Sequence, residues 1–490
     1  MKRDYNRDLF KNIEELQQSL ASLKGEFSTY KAESAEKIEQ QAEEIDRLTQ
    51  DNQKLRLDNQ KLSQDNERLK RIINNNSSNS SLPPSTDQKP SKPANTYNSR
   101  QKSGKPSGGQ LGHKGKTLTR EKVEGLLSTG RCEHIVEDLG DITQAYVSRY
   151  VVDIESRLVI REFRIHADGK GSYLIPSTLN SVVTYGNGLK ALCVSLRYND
   201  ISLKRTAELL SDITNNQLNL SEGTVSNIIE EFSEKCSPHV EKICDTLMNS
   251  EVLYTDATTI SVNGYQEYIR NQSTPDAVLY TAMPRKSIEE LKKIPVLSEY
   301  TGLMMHDHET ALYNFGTQHA ECGAHILRYL KKNSEETRHK WSTEMIEFLT
   351  ECNRQHKCSI QENGVPLAQK SDWETISNRY DSLIAEGRKE NSELSFSEAK
   401  KEETKLLNRL TTYKENHLLF AHRTDVDFTN NLSERDLRKC KNRQKVSGGF
   451  RTEQGIDEFC VGKSVIETMK RIGNSIFEEI KTIFAKPIIV

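Results

Sequence analysis

Large apolar side chains recur at steps of three and four along the first part of the chain: Leu9, Ile13, Leu16, Leu20, Leu23, Phe27 and Tyr30, then Ile38, Ile45, Leu48, Leu55, Leu62, Leu69 and Ile73. This spacing predicts a helix across 1–73 with one apolar seam. With Leu48, Leu55, Leu62 and Leu69 at the d positions of a heptad, Asn52, Asn59 and Asn66 fall at three successive a positions. A buried amide there is satisfied only by its mate on a second helix in register. The pattern therefore predicts a parallel two-stranded coiled coil, and with it self-association. The phase slips near Ser34, where a four-residue stutter would relax the supercoil.

The seam then stops. Residues 74–120 are rich in Asn, Ser, Pro, Gly and Lys, hold too few large apolar side chains for a core, and read as a flexible linker. From Gln88 to Arg120 it carries eight Lys or Arg, Lys114 and Lys116 among them, and no acid, the composition of a tether that lies along phosphates. Within 121–180, AYVSRYVVDI and RLVIREFRI read as short strands and predict a small β-rich module. Its edges hold Cys132, His134 and His166, one thiol where a structural zinc site normally has several. Residues 181–248 read as helical. Leu203, Ala207 and Leu210 line one helix, Ser221 caps the next, and Val225, Ile228 and Ile229 face inward. The outline is that of a helix-turn-helix, with Thr224, Ser226 and Asn227 turned out to where polar side chains can meet DNA.

After residue 249 the period changes to two. VLYTDATTISVNGYQEYIRNQ reads as strand, Asn263-Gly264 turn, strand, and DAVLYTAM as a third strand. SIEELKK is a short helix, and GLMMHDHETALYNF an apolar run buried on both faces and ending in an acid. From about 323 to 420 the pattern is helical again, with Trp341, Ile346, Phe348 and Leu349 early and Leu406, Leu407, Leu410 and Tyr413 late. Further on, FTNNLSERDLRKCKNRQKVSGGF is a basic helix in which Asn430, Glu434, Leu437 and Lys441 share one stripe. A carboxylate thus lies on the face of the apolar anchor. Arg438, at i+4, offers Glu434 an ordinary surface pairing instead.

Composition adjusts this picture. A length of 490 residues allows several domains, while 34% hydrophobic and 29% charged residues fit extended helix and linker in part of that length. A net charge of -2 excludes a global attraction to nucleic acid and leaves that role to local basic segments. The nine cysteines (132, 193, 236, 244, 322, 352, 358, 440 and 460) show no paired spacing and predict reduced thiols. MKRDYNRDLFKNIEELQQ has no apolar core that a secretion machinery could read, and no run approaches the length of a bilayer span. A soluble cytoplasmic protein without a membrane partner is expected.

Candidate chemistry lies in the acids. Asp256 ends one apolar run and Asp307 another, and carboxylates at the ends of adjacent strands converge at one edge of a sheet. Such a pair repels unless a cation sits between, and oxygen ligands suit Mg²⁺ or Mn²⁺. Glu434, on the inward side of its helix, would complete a cage for two ions roughly 3.5 to 4 Å apart. It follows Asp307 by 127 positions, more than a sheet connection needs, so an inserted helical domain is expected between them.

These motifs resemble the transposases of insertion sequence 66 over almost the whole chain: the zipper start, NNNSSNSSLPPS and GGQLGHKGKTL, SEGTVSNII, and most specifically NNLSERDLRKCKNRQKVSGGF. The resemblance implies a prokaryotic, nucleoid-associated DDE enzyme with a ribonuclease-H-like catalytic domain. By the local motifs YTDAT, MHDHETALYNF and NNLSERDLR it identifies Asp256, Asp307 and Glu434 with the catalytic triad. The chain departs from the family at Ala257, where an acid is usual, and at the reduced zinc module of Cys132, His134 and His166. In ECGAHILRYLKK, Cys322 and His325 match a family Cys-x-x-His element, for which packing within a helix is the expected role.

The expected architecture is multidomain α+β: a parallel coiled coil (1–73), a basic linker (74–120), a small β-rich module resembling a degenerate zinc finger (121–180), a helix-turn-helix region (181–248), a ribonuclease-H-like α/β catalytic domain (249–322 and 424–475) with a helical insertion (323–423), and a tail (476–490). The expected function is binding of terminal inverted repeats, cleavage of the ends by water and joining of the 3′-hydroxyl to target DNA by two-metal phosphoryl transfer. Asp256 would bridge two Mg²⁺ or Mn²⁺ ions, and Asp307 and Glu434 would each hold one. Zinc is not expected. Arg435, Arg438, Lys441, Arg443 and Lys445 would sit on phosphates, and accessory proteins of the same element would be partners. The alternatives are a catalytically inactive dimeric DNA-binding regulator that keeps the fold, and a coiled-coil scaffold.

Overall fold

In the computed structural model, Asn263 and Gly264 turn the chain as their types demand, with φ of 48° and 82°. The strands on either side, β1 (Val252–Val262) and β2 (Tyr265–Ser273), pair antiparallel with Val262 opposite Tyr265. β3 (Val278–Met283) continues the meander on β2. β4 (Leu303–His306) returns parallel to β1, and β5 (Gln318–Glu321) lies parallel to β4, so the sheet runs β3-β2-β1-β4-β5. The last strand, QHAE, has no apolar run and was not foreseen. The structure describes residues 2–74, 118–130, 132–139, 142–145, 147–168, 170–176, 179, 181–370 and 373–486.

The helices in chain order are α1 (Lys2–Asn74), α2 (Arg120–Ser128), α3 (Asn187–Tyr198), α4 (Leu203–Ile213), α5 (Glu222–Lys235), α6 (Ser237–Met248), α7 (Ile288–Leu291), α8 (Pro295–Glu299), α9 (Gly323–Thr337), α10 (Lys340–Asn363), α11 (Leu367–Lys370), α12 (Trp373–Glu393), α13 (Glu398–Thr412), α14 (Lys414–Leu418), α15 (Asn431–Ser447), α16 (Glu453–Arg471) and α17 (Ile476–Ala485). Alternation along the strands divides the interior between two cores. Leu253, Ile260, Val262, Ile269 and Met304 pack with apolar residues of α3 to α6, α16 and α17. Val252, Tyr254, Leu303, Met305 and Ala320 face the other way, onto Ile326, Trp341, Tyr380, Leu407 and Leu410 of α9, α10, α12 and α13. This mixed α+β arrangement sets the sheet between two helical layers.

The helices between β5 and α15 are tied to the sheet by one buried carboxylate. Glu321, at the end of β5, has a fully buried side chain and meets Arg409 Nη2 at 2.5 Å, Tyr313 Oη at 2.5 Å, His308 Nδ1 at 2.8 Å and His417 Nε2 at 3.3 Å. Burial alone would raise its pKa, but His308, His417 and Arg409 outweigh that and hold it far below the usual carboxylate range. Arg409→Ala leaves this charge buried without its guanidinium partner. It is expected to lower stability by about 3–5 kcal/mol, read as a lower urea midpoint of the full chain; a loss under about 1 kcal/mol would mean that solvent reaches Glu321.

Other expectations met different outcomes. α1 runs unbroken through Ser34, and Leu16, Leu20, Leu48, Leu55 and Leu62 of its seam are exposed. Lys114, Lys116 and residues 75–117 of the linker lie outside the described residues. The strands expected within 121–180 do not form among the described residues, where the regular elements are the helix α2 and a few turns and no ladder pairing occurs. Val151, Ile154 and Ile160 are 92%, 91% and 87% exposed. With no second layer to cover them, two-residue alternation has nothing to bury and strand pairing gains little.

Candidate metal centre

Asp256 lies within β1 and Asp307 directly after β4, its parallel neighbour, so adjacent strands bring both carboxylates to one place. Asp256 is half-buried in the middle of its strand rather than at the end expected from the apolar run, and its Oδ1 accepts the Ala257 N–H at 2.6 Å. Burial, and after it the charge of Asp307, pushes Asp256 up to about 6 against the opposing pull of Ala257 N–H, Lys286 and Arg270. That response identifies a pair of acids crowded enough to want a cation.

Glu434 comes to the far side of His325 from Asp307 because α15 is fastened to the sheet by polar contacts. Asn430 Nδ2 donates to Thr255 O at 2.9 Å, and Ser433 Oγ to Asn271 Oδ1 at 2.7 Å, the same oxygen that accepts the Asp256 N–H at 3.2 Å. Asn271 in turn donates to Ser273 Oγ at 2.7 Å, and Ser273 donates to Asp436 Oδ2 at 2.8 Å. Asn430, Ser433, Asp436, Leu437, Cys440 and Arg443 form the buried face. The stripe expected from spacing was close, but polar groups supply much of the anchor. Glu434 stands at the rim of that face with its side chain 22% exposed. Its Oε2 is 3.5 Å from Arg438, the surface pairing, while its Oε1 lies 4.0 Å from His325 Nδ1 and 3.7 Å from Arg328 Nη2.

His325 joins the two distal acids, which the helix-packing expectation for Cys322 and His325 missed. From the first turn of α9 its Nδ1 lies 2.9 Å from Asp307 Oδ1. Burial opposes a charge on this ring, and Asp307 with Cys322 favours one, holding the pKa up at about 10. The Arg328 guanidinium, 2.6 Å from Nε2, opposes that charge: a guanidinium only donates, and a doubly protonated ring would set two cations in contact, so the contact requires a neutral ring with Nε2 accepting and its one proton on Nδ1, toward Asp307. Yet Asp307 Oδ1 and His325 Nδ1 are both buried and lack an aligned hydrogen bond. Cys322 is buried as expected, and its Sγ accepts the Asn430 N–H at 3.2 Å. Among the described residues, Asp307, Cys322 and His325 are the group of three ligand types whose donor atoms lie within 4.8 Å of one another. The signal in the sequence was the Cys-x-x-His spacing, whose meaning depended on what faced it.

The remaining predicted residues are scattered. Cys132, His134 and His166 are exposed and form no such group. Arg435, Arg438 and Lys445 are exposed and Lys441 is half-buried. Arg443 is a correction: it is 3% exposed and lies over the Phe450 ring, 5.7 Å from its centroid, because position 443 continues the 433, 436, 440 face of α15. It is not on the surface that phosphate would meet. In the helix pair α4 and α5, Ser221 caps α5 by accepting the Thr224 N–H at 3.0 Å, and Val225, Ile228 and Ile229 are buried. Asn227 is exposed, whereas Thr224 and Ser226 are half-buried.

The donors fit hard divalent ions. Carboxylate oxygens are ligands for Mg²⁺ or Mn²⁺, but among the described residues Asp256, Asp307 and Glu434 do not bring their oxygens within 4.8 Å of one another, so the three acids would have to draw together to share ions. No helix among the described residues is long and apolar enough to cross a membrane. A comparison with curated proteins finds no match. Residues 183–458, more than half of the chain and spanning Asp256, Asp307 and Glu434, match the family model of the transposase IS66 family, and the protein therefore belongs to that family.

Proposed function

We propose that this transposase binds the terminal inverted repeats of its element, cuts the DNA ends and joins the freed 3′-hydroxyl to target DNA at a centre built from Asp256, Asp307 and Glu434. The observation that carries the proposal is the anchoring of α15 by Asn430 and Ser433 on β1 and β2, which holds Glu434 of a basic helix on the side of the sheet's Asp256 and Asp307. The sheet order, with a three-strand meander followed by parallel β4 and β5, supports a ribonuclease-H-like reading of the domain. Asp256, Asp307 and Glu434 would hold two Mg²⁺ or Mn²⁺ ions. Bound there, such ions supply activation of water or a 3′-hydroxyl and neutralise charge on the phosphodiester.

The protein's own part is placement. Asn271 orients Asp256 through its backbone, and His325 sets the separation of Asp307 and Glu434. Arg435, Arg438, Lys441 and Lys445, along the outer face of α15, would take phosphates flanking the scissile bond, while Asn227 of α5 would contact the terminal repeat. The test is cleavage of a terminal-repeat duplex by the full chain: nicking is expected with Mn²⁺ and none with EDTA, and a shifted but uncut duplex under both conditions would reduce the protein to a DNA-binding regulator.

The exposed seam of α1 supports a dimer formed through its parallel coiled coil. Light scattering should give twice the 55.9 kDa chain mass, and Leu48→Glu with Leu55→Glu should return it to that of one chain. A wild-type monomer at micromolar concentration would remove the zipper from the proposal.

A further inference from the structure

We propose that Asp307, Cys322 and His325 form a thiophilic metal site that takes Zn²⁺ or Cd²⁺ and overlaps the hard-ion centre at Asp307. A thiol, an imidazole and a carboxylate make a donor set for borderline-soft ions, and first-row preferences put Zn²⁺ above Mn²⁺ on such ligands. Cys322 precedes α9 and His325 stands in its first turn, so the Cys-x-x-His spacing turns both donors to one side. The three donor atoms lie within 4.8 Å of one another. Tetrahedral bonds of 2.0–2.3 Å put donors roughly 3.3–3.7 Å apart, so side-chain movements of about 1 Å close the site.

Two features point to a ligand rather than to packing. Asp307 Oδ1 and His325 Nδ1 are buried, and neither has a polar partner other than the 2.9 Å contact between them and the more distant Glu434, 4.0 Å from His325 Nδ1. The buried Cys322 points its sulfur at the Asn430 N–H, so the sulfur faces a polar group rather than the apolar core. The route in lies past Asp307 and His325, whose side chains are 24% and 22% exposed, and no fourth protein donor closes that side. On loading, the thiol proton leaves to solvent. The imidazole binds through Nδ1 and ends neutral with its proton on Nε2, so Arg328 gives up its contact there for Glu434, now 3.7 Å away. No electron transfer is involved.

One consequence rests on the proposed function: an ion held here withdraws Asp307 from the catalytic pair, so Zn²⁺ would inhibit Mn²⁺-dependent cleavage. Binding itself is independent of that reading and is tested first. The full chain is titrated with Cd²⁺ and the thiolate-to-cadmium charge-transfer absorption is followed in the ultraviolet. Wild type is expected to show one more thiolate–cadmium band than Cys322→Ser, over the shared background of the other cysteines. In His325→Ala the band should persist with at least about tenfold weaker Cd²⁺ affinity. Identical titrations for wild type and Cys322→Ser overturn the site. If Cys322→Ser does not fold, an unchanged affinity in His325→Ala overturns it equally. A lost band together with a wild type that never cleaves DNA in Mn²⁺ would keep the thiophilic site and discard the catalytic reading.

Discussion

Glu434→Gln is expected to abolish strand cleavage while leaving binding to the terminal repeats intact. The amide has nearly the size of the carboxylate, and the anchors of α15 (Asn430 to Thr255 O, Ser433 to Asn271, Asp436 to Ser273) do not involve Glu434, so the helix should stay in place. What changes is one negative charge of the proposed centre, set near His325 and Arg328. Metal-assisted charge stabilisation supplies several kcal/mol, so its loss should slow cleavage on the order of 10³-fold or more. The surface ion pair with Arg438, whose side chain is 75% exposed, is lost as well but contributes little to folding. Gel shift and cleavage on one labelled end duplex check both halves of the expectation. Retained cleavage would remove Glu434 from the mechanism and restore the reading in which it serves only Arg438.

Asp256→Asn should show the opposite signs in stability and activity. Burial first, and Asp307 second, push the Asp256 pKa up to about 6 in the metal-free protein, from about 3.9 in an unfolded chain. The folded state then holds the proton more tightly than the unfolded one, so Asp256 costs no stability below about pH 4. The cost grows as pH rises from about 4 to 6 and levels off near 3 kcal/mol above that. Asparagine carries no charge at any pH and can still accept the Ala257 N–H through Oδ1. In EDTA at pH 8 the variant should be more stable than wild type by up to about 3 kcal/mol, with the difference closing near pH 4. Cleavage should fall on the order of 10³-fold, and the gain in melting temperature with Mn²⁺ should shrink. A variant no more stable than wild type at pH 8 would mean that Asp256 is not under the strain that its burial beside Asp307 implies. Acids of this kind are stabilised by the ion they hold, and removing one exchanges function for stability.

Much of this was legible before any coordinates. Asn263-Gly264 between alternating runs specified a two-residue hairpin, and the apolar run at Leu303–His306 specified a strand buried on both faces; both depend on near neighbours and on backbone conformations few residues adopt. Ser221 as a cap was equally local, since its hydroxyl needs only an N–H three residues on. β5 was not legible, because QHAE has neither alternation nor bulk and is a strand only because β4 offers it an edge. The strands expected within 121–180 failed for the reverse reason: the alternation is present, but nothing covers it.

The same division runs through the site. Asp256, Asp307 and Glu434 were singled out because an acid ending an apolar run, or sharing a face with an anchor, is an anomaly that sequence alone exposes. Which way each points was decided by contacts far apart in the chain. Asn430 reaches Thr255, 175 positions away, and Ser433 reaches Asn271, 162 positions away. Arg443 looked like a phosphate ligand and turned inward, since a helix with no strong apolar stripe hides which side is buried. Cys322 and His325 carried a recognisable spacing without a stated purpose until Asp307 appeared opposite them. Periodicity and turn chemistry are short-range properties and survive in one dimension; a buried polar contact has no period, and its partner exists only once the sheet has brought distant segments together.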